Sequence, residues 1–304
     1  MGTRTYKGLE GGLYHDRSNS EPADHDSIGI KHRNAVQPLD VNGRPARSGR
    51  YVLMSVGGAG VSAAWCSGSS APPCDSGSLA GRAASDTSVN RRALVIVNGA
   101  IPAANAAMWA SPASANYNRI RDTRLAPLGL SEKQVQVIWM ILADSDAILP
   151  VTATAADGAL RLRHLGATIR ALKTRYPNLQ LLFLSSQRFG GYHDGGEPLA
   201  YESGFAVRWT VDSQIDQGRG HAFNADAGDL SLSGTAPWIS WGPYIWARGA
   251  DPRRDGLAWA RADYDSAGRR LSAQGQQKLG GILFDFFRSS KYTRCWFLAG
   301  QVCG

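Results

Sequence analysis

The stretch Tyr51-Val-Leu-Met-Ser-Val56, followed at once by Gly57-Gly58-Ala59-Gly60, is a short apolar run closed by glycines. A run of this length without polar alternation reads as a strand buried on both faces and ended by a tight turn. The pattern recurs outward along the chain as Ala93-Leu-Val-Ile-Val97 before Asn98-Gly99, Val135-Gln-Val-Ile-Trp-Met-Ile141, and Leu179-Gln-Leu-Leu-Phe-Leu184. A fifth strand is expected at the start of the aromatic segment Trp238–Trp246. Between the strands lie helical patterns. In 157–176, Leu162, Leu165, Ile169 and Leu172 recur at steps of three and four, with Arg161, Arg163, Arg170 and Lys173 between them. Residues 199–217 read as a second helix, and a last one starts at Ser272 with an apolar stripe of Leu279, Ile282, Leu283 and Phe286. Ser131 with Gln134 has the capping-box spacing, but only a short turn fits before the next strand.

Buried strands alternating with helices predict a three-layer α/β/α sandwich around a mostly parallel sheet of about five strands, flavodoxin-like in type. Ligands of such sheets sit at the carboxyl ends of the strands, which marks Gly57–Gly60, Asn98–Ala104, Ala143–Asp146 and Ser185–Gly191 as one rim. Residues 1–49, rich in Gly, Asp, His, Pro and Arg, read as an irregular arm lying over the domain, and 50–304 as a single domain. The Ser-, Gly- and Pro-rich stretch 66–90 reads as a loop.

Composition narrows the function classes. With 304 residues, 43% of them hydrophobic and 19% charged, the chain has enough apolar material for a core and is not a disordered polymer. The formal net charge is +8, but the basic residues are scattered, with no run longer than pairs such as Arg91-Arg92, Arg253-Arg254 and Arg269-Arg270. A solvated basic surface is expected rather than a nucleic-acid-binding tract. No uninterrupted apolar segment approaches membrane-spanning length, so no span is expected. Cys66 with Cys74 and Cys295 with Cys303 repeat one spacing with no His nearby, which favours two local disulfides over a zinc site, the alternative being four free thiols. Disulfides imply an extracellular, periplasmic or cell-surface protein, whereas the start Met-Gly-Thr-Arg-Thr-Tyr lacks the apolar run of a signal peptide. The glycine pairs form neither a dinucleotide fingerprint nor a P-loop, so no cofactor is implied.

A strand ending in a Gly-containing turn, a Gly after the second strand, a polar loop after the third and a C-terminal helix together resemble the SGNH (GDSL-type) hydrolases. The chain is similar above all to a group of bacterial proteins of that kind, through Glu10-Gly-Gly-Leu-Tyr14, Glu197-Pro-Leu-Ala-Tyr-Glu-Ser-Gly-Phe-Ala-Val-Arg-Trp209 and Pro237-Trp-Ile-Ser-Trp-Gly-Pro-Tyr-Ile-Trp246. The resemblance implies ester hydrolysis by a Ser after the first strand and a His in an Asp-x-x-His motif before the last helix. Backbone N–H groups, a Gly after the second strand and an Asn after the third would stabilise the oxyanion. A Ser hydroxyl is a poor nucleophile until a base takes its proton, and the developing oxyanion needs prepositioned donors.

Here the nucleophile position falls on Ala59, and the His position falls on Arg270, within Ala267-Gly-Arg-Arg270. Arginine stays charged and cannot act as base. The six His residues stand at 15, 25, 32, 164, 193 and 221, so no register places one before the last helix. Gly57, Gly58 and Gly99 match the oxyanion-hole positions, while Ile141-Leu142-Ala143-Asp144 offers no Asn. Substitute catalytic groups are Ser62, three residues past Ala59, and His193 in the loop Gly190-Gly-Tyr-His-Asp-Gly-Gly196. The plainer readings are a small packing residue and a turn. His15, Asp16, Asp24, His25, Asp26 and His32 crowd the arm without a metal-ligand spacing, so no metal is expected. Glu197 and Glu202 could pair for glycoside chemistry or simply position structure, and Trp241 and Tyr244 could stack on a sugar or serve as core. The expectation is an SGNH-like pseudoenzyme that binds a carbohydrate or another protein. The alternatives are an active carbohydrate esterase with relocated catalytic groups and a cell-surface assembly protein.

Overall fold

A computed structural model describes residues 2–66, 73–142 and 157–304. Five strands form its centre: β1 (Tyr51–Gly57), β2 (Leu94–Asn98), β3 (Val135–Ile141), β4 (Leu181–Leu184) and β5 (Trp238–Trp241). They are hydrogen-bonded in the order β2-β1-β3-β4-β5, and every neighbouring pair is parallel. β1, β3, β4 and β5 are buried along their whole length, as a sheet covered on both faces requires.

The two covered faces divide the strand residues by parity. Met54, Val56, Ile138, Met140, Leu182 and Leu184 pack into one core with helices α5 (Asp157–Arg175) and α6 (Gly196–Gly218). Leu53, Val137, Trp139, Ile141 and Phe183 pack into the other with α2 (Ala59–Trp65), α3 (Leu79–Ser85), α7 (Ala273–Ser289) and α8 (Arg294–Phe297). This is the three-layer α/β/α sandwich expected from the apolar runs. Leu162, Leu165, Ile169 and Leu172 of α5 are buried on the sheet, and Leu279 and Leu283 do the same for α7. Ser272 caps α7 by accepting from Gly275 N at 3.3 Å. The turn before β3 is a single 3₁₀ turn at Glu132–Gln134, closed by the Ser131/Gln134 capping box.

Two segments differ from the sequence reading. The N-terminal stretch read as irregular contains α1 (Ala23–Ala35). Its apolar periodicity is weak because contact with the sheet edge runs through His25 and Gly29, both buried, with Gly29 set against the Trp238 ring. The stretch 66–90 read as a loop contains α3, started by Ser78 accepting from Gly81 N and anchored by buried Leu79 and Ala83. A short α4 (Ala115–Ile120) sits between β2 and β3, where Tyr117 and Ile120 join the first core. Both expected disulfides are formed, Cys66–Cys74 and Cys295–Cys303. No helix among the described residues is long and apolar enough to cross a membrane.

Candidate functional site

The strand order reverses between β1 and β3: the chain moves outward from β1 to β2, then returns across it to β3. At such a switch point the connections leave in opposite directions and open a crevice at the carboxyl ends. A chamber of about 380 Å³ lies there, bordered by Gly58, Ala59 and Ile141. A second chamber of about 220 Å³ lies beside it, at the ends of β3 and β4 and against α5 and α6. Gln187, Arg188 and Arg269 line both, so the two share a wall. The rim segment Ala143–Asp146 lies outside the described residues.

Ala59 is the first residue of α2 and is exposed to the outer chamber. Arg270 lines the same chamber, with Arg188 and Arg269. Ala59 and Arg270, the two positions that the sequence resemblance singled out, thus line one chamber, to which they bring a methyl group and a guanidinium. Among the described residues, the outer chamber is lined by no hydroxyl, no imidazole and no carboxylate. Gly58 borders it. Gly57 is buried, with φ at +151° and an added Cβ only 2.4 Å from the Ile141 carbonyl oxygen, so no side chain fits. Gly99 is buried against Ser55 in the same way, its added Cβ falling 2.6 Å from the Ser55 carbonyl oxygen.

Ser62 is half-buried in α2 and engaged elsewhere: its Oγ accepts from Asn98 Nδ2 at 2.9 Å, while Ser55 Oγ donates to Asn98 Oδ1 at 3.2 Å. This Ser55–Asn98–Ser62 chain stitches β1, β2 and α2 together, and contains no base. His193 lines the inner chamber with its Nδ1 3.0 Å from the Asp194 carbonyl oxygen. The inner chamber's serines are also committed. Ser185 Oγ donates to Pro243 O and accepts from Trp139 Nε1, and Ser203 Oγ accepts from Gln187 N. His15, His25 and His32 bond to Asp216, the Ile239 carbonyl and Gln180, and none of these partners is a serine.

The remaining candidates separate. Glu202 is fully buried and sits 3.5 Å from Arg161, which lines the inner chamber and also donates to Leu199 O. Glu197 accepts from Gly190 N and Trp246 Nε1, which fixes the loop after β4 to the start of α6; burial raises its pKa. The two glutamates thus have different partners. Trp241 is buried and donates its indole N–H to Leu13 O, and Tyr244 lies edge-on to it beneath Arg253. Neither ring lines either chamber. The His and Asp residues of the arm disperse: Asp24 pairs with Arg219, Asp26 with Lys291, and His25 is buried under β5. Among the described residues no group of three or more His, Cys, Asp or Glu could hold a metal ion.

A candidate site residue that sequence reading did not single out is Arg188. It lies in the rim segment Ser185–Gly191, and its only signal was that position at the end of β4. Its Nη2 donates to Arg269 O at 2.8 Å and its guanidinium lies over the Tyr264 ring, but its Nε is sealed from solvent with no acceptor. No carboxylate forms an ion pair with it among the described residues. Burial lowers its pKa, the mark of a charge removed from water without full compensation.

Fold and rim together define a doubly wound α/β/α protein with an arginine-lined crevice at its topological switch point. No known family profile matches the chain, and no curated protein matches it. Among solved structures it is similar to TesA, at 12% identity and a TM-score of 0.41 over 78% of this chain and 98% of that one. It is also similar to an extracellular lipase from Streptomyces rimosus, at 15% identity and a TM-score of 0.35 over 78% of this chain and 99% of the lipase. A third likeness is to a protein from Arabidopsis thaliana, at 12% identity and a TM-score of 0.37 over 78% and 97% of the two chains. All three likenesses are distant.

Proposed function

We propose that this protein is a binding protein on a hydrolase-like fold, without serine–histidine ester hydrolysis, which holds a small-molecule ligand at the carboxyl rim of its sheet. One observation carries this reading: the chamber at the β1/β3 switch point has Ala59 and Arg270 on its walls and, among the described residues, neither a nucleophile nor a base. Binding chemistry remains there, in the guanidinium groups and the amides of Gln187 and Gln276. A sugar stacked on Trp241 or Tyr244 is not favoured, because those rings face other parts of the protein. An oxidising compartment is proposed with it, since closed disulfides persist there.

The test is hydrolysis of an aryl acetate by rigorously purified protein, compared with Ser62→Ala and His193→Ala variants of unchanged circular dichroism. The expected outcome is that neither substitution alters whatever trace release is seen. Turnover abolished by either one would reinstate an esterase with relocated groups.

A further inference from the structure

Arg188 is half-buried with its Nε sealed from solvent, and among the described residues it pairs with no carboxylate and feels only the more distant charge of Asp265, so its guanidinium calls for a partner. Arg188 stands where the two chambers meet, and Arg269 lines both with it. The outer chamber adds Arg270 and, among the described residues, no carboxylate. In the inner chamber Arg161 is matched by Glu202, and among the described residues Arg188 and Arg269 are its cations without a carboxylate partner. The rest of the inner wall is largely apolar, including Met140, Leu142, Leu165, Leu184, Phe189 and Val207. At about 220 Å³ it exceeds the roughly 150 Å³ apolar cavity that accepts a benzene ring.

Resting on the binding reading above, we propose that the ligand is a small organic anion, with its carboxylate or phosphate on Arg188 at the junction of the chambers and an apolar group of about ring size in the inner chamber. Arginine suits either anion, because its planar fork matches both geometries. Arg269 is held on a rigid turn, since Asp265 Oδ1 accepts from both Arg269 N and Arg270 N and Arg261 donates to the Asp265 and Ser266 carbonyls. The turn thus presents both arginines to the rim before any ligand arrives.

The experiment is isothermal titration of the whole chain with four probes at fixed ionic strength: phenylacetate, phenyl phosphate, acetate and benzyl alcohol. Phenylacetate or phenyl phosphate is expected to bind at least tenfold more tightly than both acetate, which lacks the ring, and benzyl alcohol, which lacks the charge. The tighter of the two identifies the anion. Arg188→Met is expected to weaken that probe at least tenfold and to leave benzyl alcohol unchanged. The same variant should melt, without ligand, at the wild-type temperature or above it, since it removes a half-buried charge that has no ion-pair partner among the described residues. If no anion binds more tightly than benzyl alcohol to the wild-type protein, the proposal is overturned whether or not the variant folds. Probe binding that persists in Arg188→Met overturns it as well. The two readings fail separately: Ser62-dependent turnover removes the non-hydrolytic reading, and probe results alone remove this one.

Discussion

Glu21, immediately before α1, shows how one side chain ties the N-terminal segment to the sheet. Its carboxylate accepts from Ser240 Oγ on β5 at 3.0 Å and from Tyr292 OH at 2.8 Å, with His25 Nε2 at 3.5 Å. Tyr292 OH also lies within hydrogen-bond reach of Asp26, so its single proton is shared between the two carboxyl groups, and Tyr14 OH lies 3.4 Å from Ser240 Oγ. Burial raises the Glu21 pKa from 4.5 to about 7, with the Tyr292 and Ser240 hydrogen bonds opposing the rise and Asp26 adding to it. A carboxyl whose folded pKa is raised favours the folded state in its neutral form. That contribution is complete below pH 4.5 and is lost as pH climbs through about 7. The gap corresponds to about 3 kcal/mol. Burial lowers the His25 pKa and acts in the opposite sense, removing stability as pH falls below 6.5. In Glu21→Gln the first contribution is absent. Chemical denaturation from pH 4.5 to 8 should therefore show wild-type stability declining relative to Glu21→Gln by roughly 3 kcal/mol. Parallel curves would show that Glu21 has the same pKa in the folded and unfolded states.

Among the elements, α7 offers a direct contrast between adjacent glycines. An added Cβ at Gly280 would lie 2.4 Å from the Gly77 carbonyl oxygen, where α7 crosses the segment leading into α3. At Gly281 the nearest atoms are the flexible end of Arg82, at 3.5 Å. Alanine is favoured over glycine inside a helix by roughly 0.5–1 kcal/mol. Gly281→Ala should therefore raise the melting temperature. Gly280→Ala should lower stability by about 1–3 kcal/mol, because its new methyl group meets backbone that cannot turn aside. Two thermal melts decide it, and equal shifts would mean that α7 does not pack on Gly77. The same glycine was invisible as a contact in the sequence, where Leu279, Ile282, Leu283 and Phe286 carried the helical signal. Of that stripe, Leu279 and Leu283 reach the core, while Ile282 and Phe286 are only partly buried at its edge.

For the molecule as a whole, the two disulfides close short loops of equal sequence separation, eight residues each. Cys66–Cys74 starts at the C-terminal end of α2, and Cys295–Cys303 ties the tail to α8. Loops this short restrict the unfolded chain modestly, by about 2–3 kcal/mol each in the chain-entropy account. Calorimetry with and without a phosphine reductant should show a lower but still cooperative transition, because two extended apolar cores carry the fold. Collapse to an uncooperative transition would mean that the bridges, not the cores, specify the structure.

The five apolar runs by themselves determined the layers and the parallel sheet, since a strand covered on both faces admits no other arrangement of alternating helices. They also located the rim, and with His221 the last histidine of the sequence no register places one at the start of the last helix. Only the tertiary structure decided which groups share the crevice. Ala59 and Arg270 stand 211 positions apart in the chain yet line one chamber, and Arg188 reaches it from the end of β4. It also showed that Trp241 and Tyr244 spend their polar and aromatic faces on the protein itself. The physical reason is that periodicity reports which faces are buried, whereas a binding site depends on distances between residues remote in sequence and on which polar atoms are left without partners.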